Sequence, residues 1–515
     1  MSLRIATTLL LAAPVLAQND FNYDKLTSGR IGSSLDLGVT NAPANGIALY
    51  IVSSNAGPTP LILLDGVDTR SLQVGTDLLG VLSFGITSPT GTAGYSLAVP
   101  NNPAVSGTVL HWQVAMLPFS GPTFLGQISN DIVTQIGLQD TGILAPAAQL
   151  AARAFAASWM DRNNNAGAGD VVVAGGGTGT LTAATGLASS EVWDFRHMQV
   201  TAGPTMGVAR ALHLAIELTN GKTLLIGGAD ASGAVINACE LYDPATNSFA
   251  PAASMATPRI LHAACRLADG RVMVAGGTST LQPDVVTALA NTLATVEIYD
   301  PTTNTWTSGP AIGGARLGPA LTLLPNNQVM VSGGVQVGVL FGVPISAAST
   351  TAVQRWNPAT NTWSNGPNMS QARAGHQYNQ VRLNDGRILF TGGINLPSLL
   401  GATSAAPING AELYNPATNS WATANMASAR ALHSATVLAD GRVAVCGGAQ
   451  GTLLAPTSIA DVEVFNPTTN GWSTQPALTA PRAGHAAALL PDHTLILFGG
   501  QDATATTATI ETLRF

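Results

Sequence analysis

The stretch Val443-Ala-Val-Cys-Gly-Gly448 decides the fold, because variants of it recur along the chain. In each copy a short apolar run ends in two glycines. Seven copies are present, ending at Gly177, Gly228, Gly277, Gly334, Gly393, Gly448 and Gly500. The shortest interval is the 49 residues from Gly228 to Gly277, and the longest is the 59 from Gly334 to Gly393. Self-similarity at a period of about 50 residues indicates a repeat fold, in which each unit buries its faces against its neighbours.

Each repeat carries further landmarks. An acidic and an aromatic residue follow the glycine pair on an alternating run, as in Glu412 and Tyr414. An Asp-Pro or Asn-Pro turn comes next, and a Thr-Asn pair then precedes an aromatic residue such as Trp421. Every unit also has one arginine: Arg153, Arg210, Arg259, Arg316, Arg373, Arg430 and Arg482. In five units a histidine follows three residues later: His213, His262, His376, His433 and His485.

This pattern resembles the kelch repeat from Arg153 to the last residue, which is about 70% of the chain. The resemblance implies an all-β fold, a seven-bladed kelch-type β-propeller with four short strands in each blade. The last unit stops after a third strand. Because Ala145-Pro-Ala-Ala148 echoes Ala250-Pro-Ala-Ala253, residues 138–150 are expected to supply the missing outer strand. The propeller then spans residues 138–515, and its closure leaves no free edge.

The first part of the chain has a different character. Residues 1–17 combine Arg4, an apolar run and the small-residue site Val15-Leu-Ala17, which predicts a signal peptide; a buried N-terminal strand is the alternative. Residues 18–137 lack glycine pairs but contain about seven short alternating or apolar runs separated by turns, which predicts a small β-sandwich. Tyr95 and Trp112 are expected in its core, with a sugar platform as the alternative.

Composition excludes several classes of function. The net charge is −7 and lysine occurs only at Lys25 and Lys222, which argues against a nucleic-acid partner. No run after residue 17 has the roughly 18 apolar residues that cross a bilayer. With the predicted signal peptide, this predicts an exported protein in a secreted, periplasmic or cell-surface location. We expect it to be a monomer. The three cysteines suggest buried thiols rather than a disulfide scaffold, although a bridge between Cys239 and Cys265 stays open.

Candidate ligand contacts are the repeat arginines. Long, dissimilar loops at 278–294, 335–351 and 394–409 should share a face with them. An arginine ring there would attract an anion, whereas a brace between each arginine and the strand-three glutamate is the structural alternative. In the fourth unit Gln354-Arg355 replaces the usual pair, which frees Arg316. The candidate ligand-binding residues are therefore Arg316, Arg355, Arg153, Arg210, Arg259, Arg373, Arg430 and Arg482.

No metal, cofactor or catalytic residue is predicted. The five histidines should pack between blades, since equivalent places in different blades are too far apart to share an ion. The stretch from Asp161 to Ala166 begins like a calcium loop, but Ala166 replaces the turn glycine and Val172 the closing glutamate.

The sequence favours an exported, non-catalytic binding protein that recognises a glycan or a protein on the long-loop face. The alternative is a carbohydrate-active enzyme of mutarotase or oxidase type, because exported kelch propellers with an added β-domain resemble the galactose oxidase family. That resemblance implies a copper site with a cysteine-crosslinked tyrosine for the oxidase. An arginine clamp and acid–base groups would suffice for a mutarotase.

Overall fold

The computed structural model describes residues 22–25, 29–30, 33–54, 56–60, 71–74, 80–117, 127–137, 142–161, 169–178, 185–281, 285–399, 405–452, 455–502 and 505–515. Strands dominate these ranges, with one short helix, α1 (Val285–Ala290), and one 3-10 turn (Pro103–Val105). The expected signal peptide and most of the calcium-like stretch lie outside them. The chain divides into two compact units, Met1–Leu138 with Arg196–Met198, and Gln139–Phe195 with Gln199–Phe515.

The first unit contains two sheets and a small hairpin within its described ranges. Its strands are β1 (Asn22–Lys25), β2 (Gly29–Arg30), β3 (Ser34–Thr40), β4 (Ile47–Ser53), β5 (Ala56–Pro60), β6 (Ser71–Val74), β7 (Gly80–Ile86), β8 (Ala93–Ala98), β9 (Val109–Met116) and β10 (Ile132–Gly137). The sheet orders are β1-β3-β8 and β2-β10-β9-β4-β7, and β5 pairs with β6.

The core of the first unit is formed by alternating residues of both sheets, which is the packing of a sandwich. Trp112 is fully buried there, and its indole N–H donates to Thr134 Oγ1 at 2.9 Å. Tyr95 stacks on Tyr50 with ring centroids 5.0 Å apart. Both aromatic residues therefore belong to the core rather than to a sugar platform.

The second unit contains seven four-stranded antiparallel sheets in its described residues. The first sheet contains β12 (Ala157–Met160), β13 (Val171–Ala174), β16 (Ser190–Asp194) and β17 (Gln199–Ala202). The second contains β18 (Leu214–Glu217), β19 (Thr223–Ile226), β20 (Cys239–Asp243) and β21 (Ser248–Ala252). The third contains β22 (Ala263–Arg266), β23 (Val272–Ala275), β24 (Val296–Asp300) and β25 (Thr305–Gly309). A small hairpin joins the second and third strands of the first sheet: β14 (Gly177–Thr178) and β15 (Thr185–Gly186).

The fourth sheet contains β27 (Ala320–Leu323), β28 (Val329–Ser332), β31 (Val353–Asn357) and β32 (Thr362–Asn365). The fifth contains β33 (Gln380–Arg382), β34 (Ile388–Thr391), β37 (Ala411–Asn415) and β38 (Ser420–Thr423). The sixth contains β39 (Ser434–Val437), β40 (Val443–Cys446), β43 (Val462–Asn466) and β44 (Gly471–Gln475). Additional strands extend their loops: β26 (Ala315–Leu317), β29 (Val335–Leu340), β30 (Val343–Ser349), β35 (Ile394–Asn395), β36 (Ala406–Pro407), β41 (Ala449–Thr452) and β42 (Ala455–Ser458). The seventh sheet joins β11 (Ile143–Leu144) to β45 (Ala486–Leu489), β46 (Thr494–Phe498) and β47 (Ile510–Arg514).

The innermost strands of the seven sheets form a closed ring. β12 contacts β18, β18 contacts β22, β22 contacts β27, β33 contacts β39, β39 contacts β45, and β45 returns to β12. Between β27 and β33 the amide of Gln380 donates to the carbonyl of Leu321 at 2.6 Å. The sheets are therefore the blades of a propeller, and apolar strand residues such as Val443 and Val445 fill the space between neighbouring blades.

The seventh blade combines strands from distant parts of the chain. Ile143 pairs with Thr512 and Leu144 with Glu511, and the N–H of Ala145 donates to the carbonyl of Ile510 at 2.8 Å. This outer strand covers only part of the segment that the sequence assigns to it. It ends before Pro146, which has no N–H to continue the ladder.

Replacing Ala145 by proline tests how much this closure contributes. Ala145→Pro removes the donor to Ile510, and we expect it to lower the free energy of unfolding by about 2 kcal/mol in urea titrations. The control is Ala148→Pro, because the N–H of Ala148 makes no hydrogen bond to the described residues. Equal losses in the two variants would contradict a closing role for this strand.

Candidate functional site

Six of the seven repeat arginines form buried ion pairs with the strand-three glutamate of their own unit. The nitrogen–oxygen distances are Arg153–Glu191 2.5 Å, Arg210–Glu240 2.6 Å, Arg259–Glu297 2.7 Å, Arg373–Glu412 2.8 Å, Arg430–Glu463 2.6 Å and Arg482–Glu511 3.1 Å. All seven arginines are 0–1% exposed. We call each arginine–glutamate pair a brace.

Each brace ties three segments together. In the second blade, Arg210 donates through Nη1 to the carbonyl of Gly227, the first glycine of the pair. The Glu240 carboxylate also accepts from the backbone N–H groups of Gly207 and Val208. The blade-one equivalent of Gly227 is Gly175, whose carbonyl accepts from Arg153, so the pair there is Gly175-Gly176, one residue earlier than the sequence assignment.

The glycine pair is required by its surroundings. Gly227 and Gly228 have φ of 57° and 102°, which side chains rarely adopt. A Cβ on Gly227 would lie 2.6 Å from the carbonyl oxygen of Arg259 in the next blade. The pair therefore lets two blades approach at the point where the brace is anchored.

These contacts give the repeat arginines a structural role. A guanidinium group that is 0–1% exposed and bonded to buried acceptors does not face a ligand. Their burial therefore favours the structural alternative over ligand contact for Arg153, Arg210, Arg259, Arg316, Arg373, Arg430 and Arg482. The remaining candidate, Arg355, is partly buried and donates to Asn419 Oδ1 at 3.1 Å, so it links neighbouring blades.

The fourth blade has an incomplete brace. Arg316 donates to the carbonyls of Gly333 and Ala352, at 3.2 and 2.8 Å, but no carboxylate pairs with it among the described residues. Gln354 takes the place of the glutamate and accepts from the N–H of Gly313 at 2.8 Å. Burial lowers the pKa of Arg316 to about 10, which reflects a buried charge without a counterion.

The five repeat histidines pack against neighbouring blades. His376 lies 3.1 Å from Ser332 Oγ, His433 lies 2.8 Å from Thr391 Oγ1, and His485 lies 2.9 Å from Ser434 Oγ. Burial, followed by the charge of the nearby arginine, lowers the pKa of every one of the five below the ordinary value. They are therefore neutral at physiological pH.

A cavity of the propeller lies where the inner strands begin. Its volume is about 640 Å³, and we call it the mouth. Its lining is mostly apolar and includes no Asp, Glu, Lys or Arg. All seven blades contribute to this lining, as with Ala157, Ala215 and Ala435 of three inner strands and Leu261 of the third blade. The mouth is therefore an uncharged apolar pocket.

A ring of residues in the left-handed backbone conformation surrounds the mouth. Each is two positions after a repeat arginine: Phe155, Leu212, Leu261, Gly318, Gly375, Leu432 and Gly484, with φ between 51° and 70°. Backbone hydrogen bonds link neighbouring members of this left-handed ring. The N–H of Gly375 donates to the carbonyl of Gly318 at 2.8 Å, and the N–H of Gly318 donates to the carbonyl of Leu261 at 2.9 Å. Four members are bulky, and each bears a strain of about 1–2 kcal/mol. Strained residues of this kind cluster at functional sites.

The fifth blade adds a polar corner to the mouth. From His376 to the glycine pair at Gly392 there are 16 residues, whereas from His433 to Gly447 there are 14. The extra two residues form a turn at Gln377-Tyr378, before β33 begins at Gln380. Tyr378 lines the mouth and is 41% exposed. The sequence analysis missed this residue, although the longer spacing was a visible signal.

The fourth blade adds a projecting hairpin to the rim. β29 and β30 pair from Val335↔Ser349 to Leu340↔Val343, and we call this hairpin the arm. Val335, at its base, lines the mouth. Its tip exposes five apolar side chains, Val339 at 41%, Leu340 at 52%, Phe341 at 96%, Val343 at 58% and Ile345 at 62%. No charged residue occurs from 317 to 354, so the arm is an uncharged apolar projection.

Comparison with known proteins agrees with this geometry. The family model of the kelch motif matches residues 260–311, which contain all four strands of the third blade. The other six blades share that strand order. The chain is a kelch-repeat protein. This chain is 28% identical over 210 residues to spermatocyte protein spe-26 of Caenorhabditis elegans, covering 40% of this chain and 33% of that protein.

A second relative is the Kelch-like protein terF of Aspergillus terreus, which is 29% identical over 162 residues, 30% of this chain and 33% of that protein. The kelch chain thus spans about a third of the length of both curated relatives. A solved structure of a fungal alcohol oxidase of the AA5 family, in complex with copper, matches 72% of this chain and 75% of its own, at 17% identity and a TM-score of 0.50. That likeness concerns the fold alone.

The described residues of this kelch chain do not fit the copper site that an oxidase would need. The thiols Cys239, Cys265 and Cys446 are buried and unpaired, and burial raises their pKa to about 11, 12 and 12. Among the described residues no group of three His, Cys, Asp or Glu side chains could hold a metal ion. In the same ranges, no helix combines the length and apolar character that crossing a membrane requires.

Completing the fourth brace tests its role. Gln354→Glu gives Arg316 a counterion, so we expect the free energy of unfolding to rise by about 1–3 kcal/mol. The reciprocal change in the next blade, Glu412→Gln, should lower it by about 3 kcal/mol, because it leaves Arg373 buried and unpaired. Urea titrations of both variants measure the difference. Destabilisation by Gln354→Glu would contradict the brace.

The neutral histidines predict sensitivity to mild acid. Their folded pKa values lie below the unfolded value of about 6.5, so the unfolded chain takes up protons first as the pH falls. Each histidine then costs about 1.4 kcal/mol of stability one pH unit below that value. His262→Met, at a ring with a pKa of about 3, should reduce the loss between about pH 7.5 and about pH 5.5 by that amount in urea titrations. An unchanged loss would contradict the assignment.

Proposed function

We propose that this kelch propeller is a non-catalytic binding module that holds a protein partner on the face of the mouth and the arm. The observation that carries the proposal is the pairing of an apolar pocket with an apolar projection on one rim. The mouth accepts an apolar group, and the exposed arm needs a partner large enough to cover Phe341. A small ligand in the mouth would leave the arm in water.

A glycan fits this surface less well than a protein does. Recognition of a sugar needs many hydrogen-bonding groups, and the mouth is lined mainly by Ala and Leu. An acidic sugar also needs a cation, but the repeat arginines are buried in their own contacts. The same burial removes the anion clamp that a mutarotase would use, so the binding module is the function that we carry forward.

The place of action is a separate proposal. The charged start, apolar run and small-residue site of residues 1–17 support export, to a secreted, periplasmic or cell-surface location. We expect an extracellular or periplasmic fraction to contain a mature chain that begins at Gln18. An intact N-terminus in the cytoplasm would contradict it.

Filling the mouth with a side chain tests the binding proposal. Gly375 belongs to the left-handed ring, and a Cβ on it would meet no atom within 4 Å. Since Leu432 and Leu212 occupy the same place in other blades, Gly375→Leu should fold and project into the mouth. Peptides selected on the wild-type protein from a random displayed library should lose at least about tenfold in affinity for this variant.

The control is Gly386→Leu in the same blade. Gly386 also has a positive φ and open space around a Cβ, but it does not line the mouth. The selected peptides should bind this variant as they bind the wild type. Peptides that bind wild type and both variants alike would overturn the mouth as the partner site.

A further inference from the structure

Gln377 and Tyr378 form a polar corner in the mostly apolar lining of the mouth. A Cβ placed on Gly318 would lie 3.7 Å from Gln377 Oε1, so this oxygen lies beside the left-handed ring. Gln377 Oε1 is buried and has no hydrogen-bond partner among the described residues. An unsatisfied buried acceptor costs about 1–3 kcal/mol, which a donor from a bound ligand would recover.

Tyr378 supplies the complementary group. The Tyr378 side chain lines the mouth, and burial raises the pKa of Tyr378 to about 12, an effect that a hydrogen bond from the Gln377 side chain to the phenol oxygen partly offsets. The O–H is therefore intact at physiological pH and available as a donor. The corner thus offers a ligand one donor, the Tyr378 O–H, and one acceptor, Gln377 Oε1.

Several other polar groups of the mouth are already engaged. Ser158 donates to the carbonyl of Ala487 at 3.2 Å, and Thr278 donates to the carbonyl of Ala288 at 2.8 Å. Ser434 Oγ lies 2.9 Å from His485 Nε2. His213 has free ring nitrogens but is only 3% exposed, whereas Tyr378 lies open to the mouth.

Space for a ligand exists on this side of the mouth. The left-handed ring carries glycine at Gly318 and Gly375, next to the corner, but Phe155, Leu212 and Leu261 on the side of the first three blades. The arm rises from the same fourth blade as Gly318. A partner that covers the arm would therefore present its inserted group to Gln377 and Tyr378.

We infer that Gln377 and Tyr378 determine the specificity of the mouth by selecting a neutral carboxamide beside an apolar group. The amide oxygen accepts from the Tyr378 O–H, and the amide N–H donates to Gln377 Oε1. In a protein partner, a peptide group or the side chain of Asn or Gln next to an aromatic residue has this chemistry. The inference rests on the proposed function, because it describes the same site.

Three probes of similar size separate the parts of this inference. Naphthamide carries a donor and an acceptor, acetylnaphthalene carries only an acceptor, and isopropylnaphthalene carries neither. Each is titrated into the full chain, and binding is followed by naphthalene fluorescence. Comparing each probe between wild type and variant removes the difference in its solubility.

Tyr378→Phe should weaken naphthamide and acetylnaphthalene about fivefold and leave isopropylnaphthalene within about twofold. Gln377→Met should weaken naphthamide alone. Unchanged binding of isopropylnaphthalene shows that both variants keep the folded mouth. Equal effects on all three probes, or none, would overturn the amide inference.

Gly375→Leu distinguishes this failure from failure of the proposed function. If it weakens all three probes while the corner variants do not discriminate among them, the mouth binds ligands but the corner does not select them. If Gly375→Leu leaves all three unchanged, the mouth is not the binding site and both proposals fail.

Discussion

The buried guanidinium group of each repeat arginine is the interaction on which the propeller depends. Arg210 shows the arrangement: one nitrogen binds the carbonyl of Gly227, another binds Glu240, and the glutamate holds the backbone that precedes the arginine. Because a buried charge without partners is costly, the arginine accompanies the glycine pair in every blade, and a glutamate joins them in six of the seven. Repetition of this unit brings the blades together at their inner ends.

The braces also decide what the mouth can bind. In the braces the positively charged arginines are buried and paired with glutamates. Burial and the charge of the same arginines also keep the histidines between the blades neutral. The side chains that face the mouth are mostly apolar, with a few hydroxyl groups, three neutral histidines and the corner at Gln377 and Tyr378. The braces that pack the blades therefore leave a mostly apolar binding site. Its polar corner lies in the fifth blade, where the spacing departs from the repeat.

The sequence predicts the repeat far better than the site. Glycine pairs, glutamates and arginines recur because every blade solves the same packing problem, so the kelch fold follows from their spacing. The ligand interpretation of Arg316 stays untested, and burial argues against it, because the missing glutamate leaves this arginine without a counterion but does not expose it. The left-handed conformation of Leu212 and Leu432 has no signal in residue type, since leucine normally avoids it. Tyr378 was detectable only by counting the residues between His376 and Gly392.

The most direct test of an uncharged, apolar mouth compares two dyes that share one aromatic frame. N-phenylnaphthylamine is neutral, and anilinonaphthalene sulfonate carries a negative charge. The account predicts that the neutral dye binds the full chain, that its fluorescence rises on binding, and that the sulfonate binds at least about tenfold more weakly. Tighter binding of the sulfonate would contradict the account, because it would mean that positive charge from the arginines reaches the mouth.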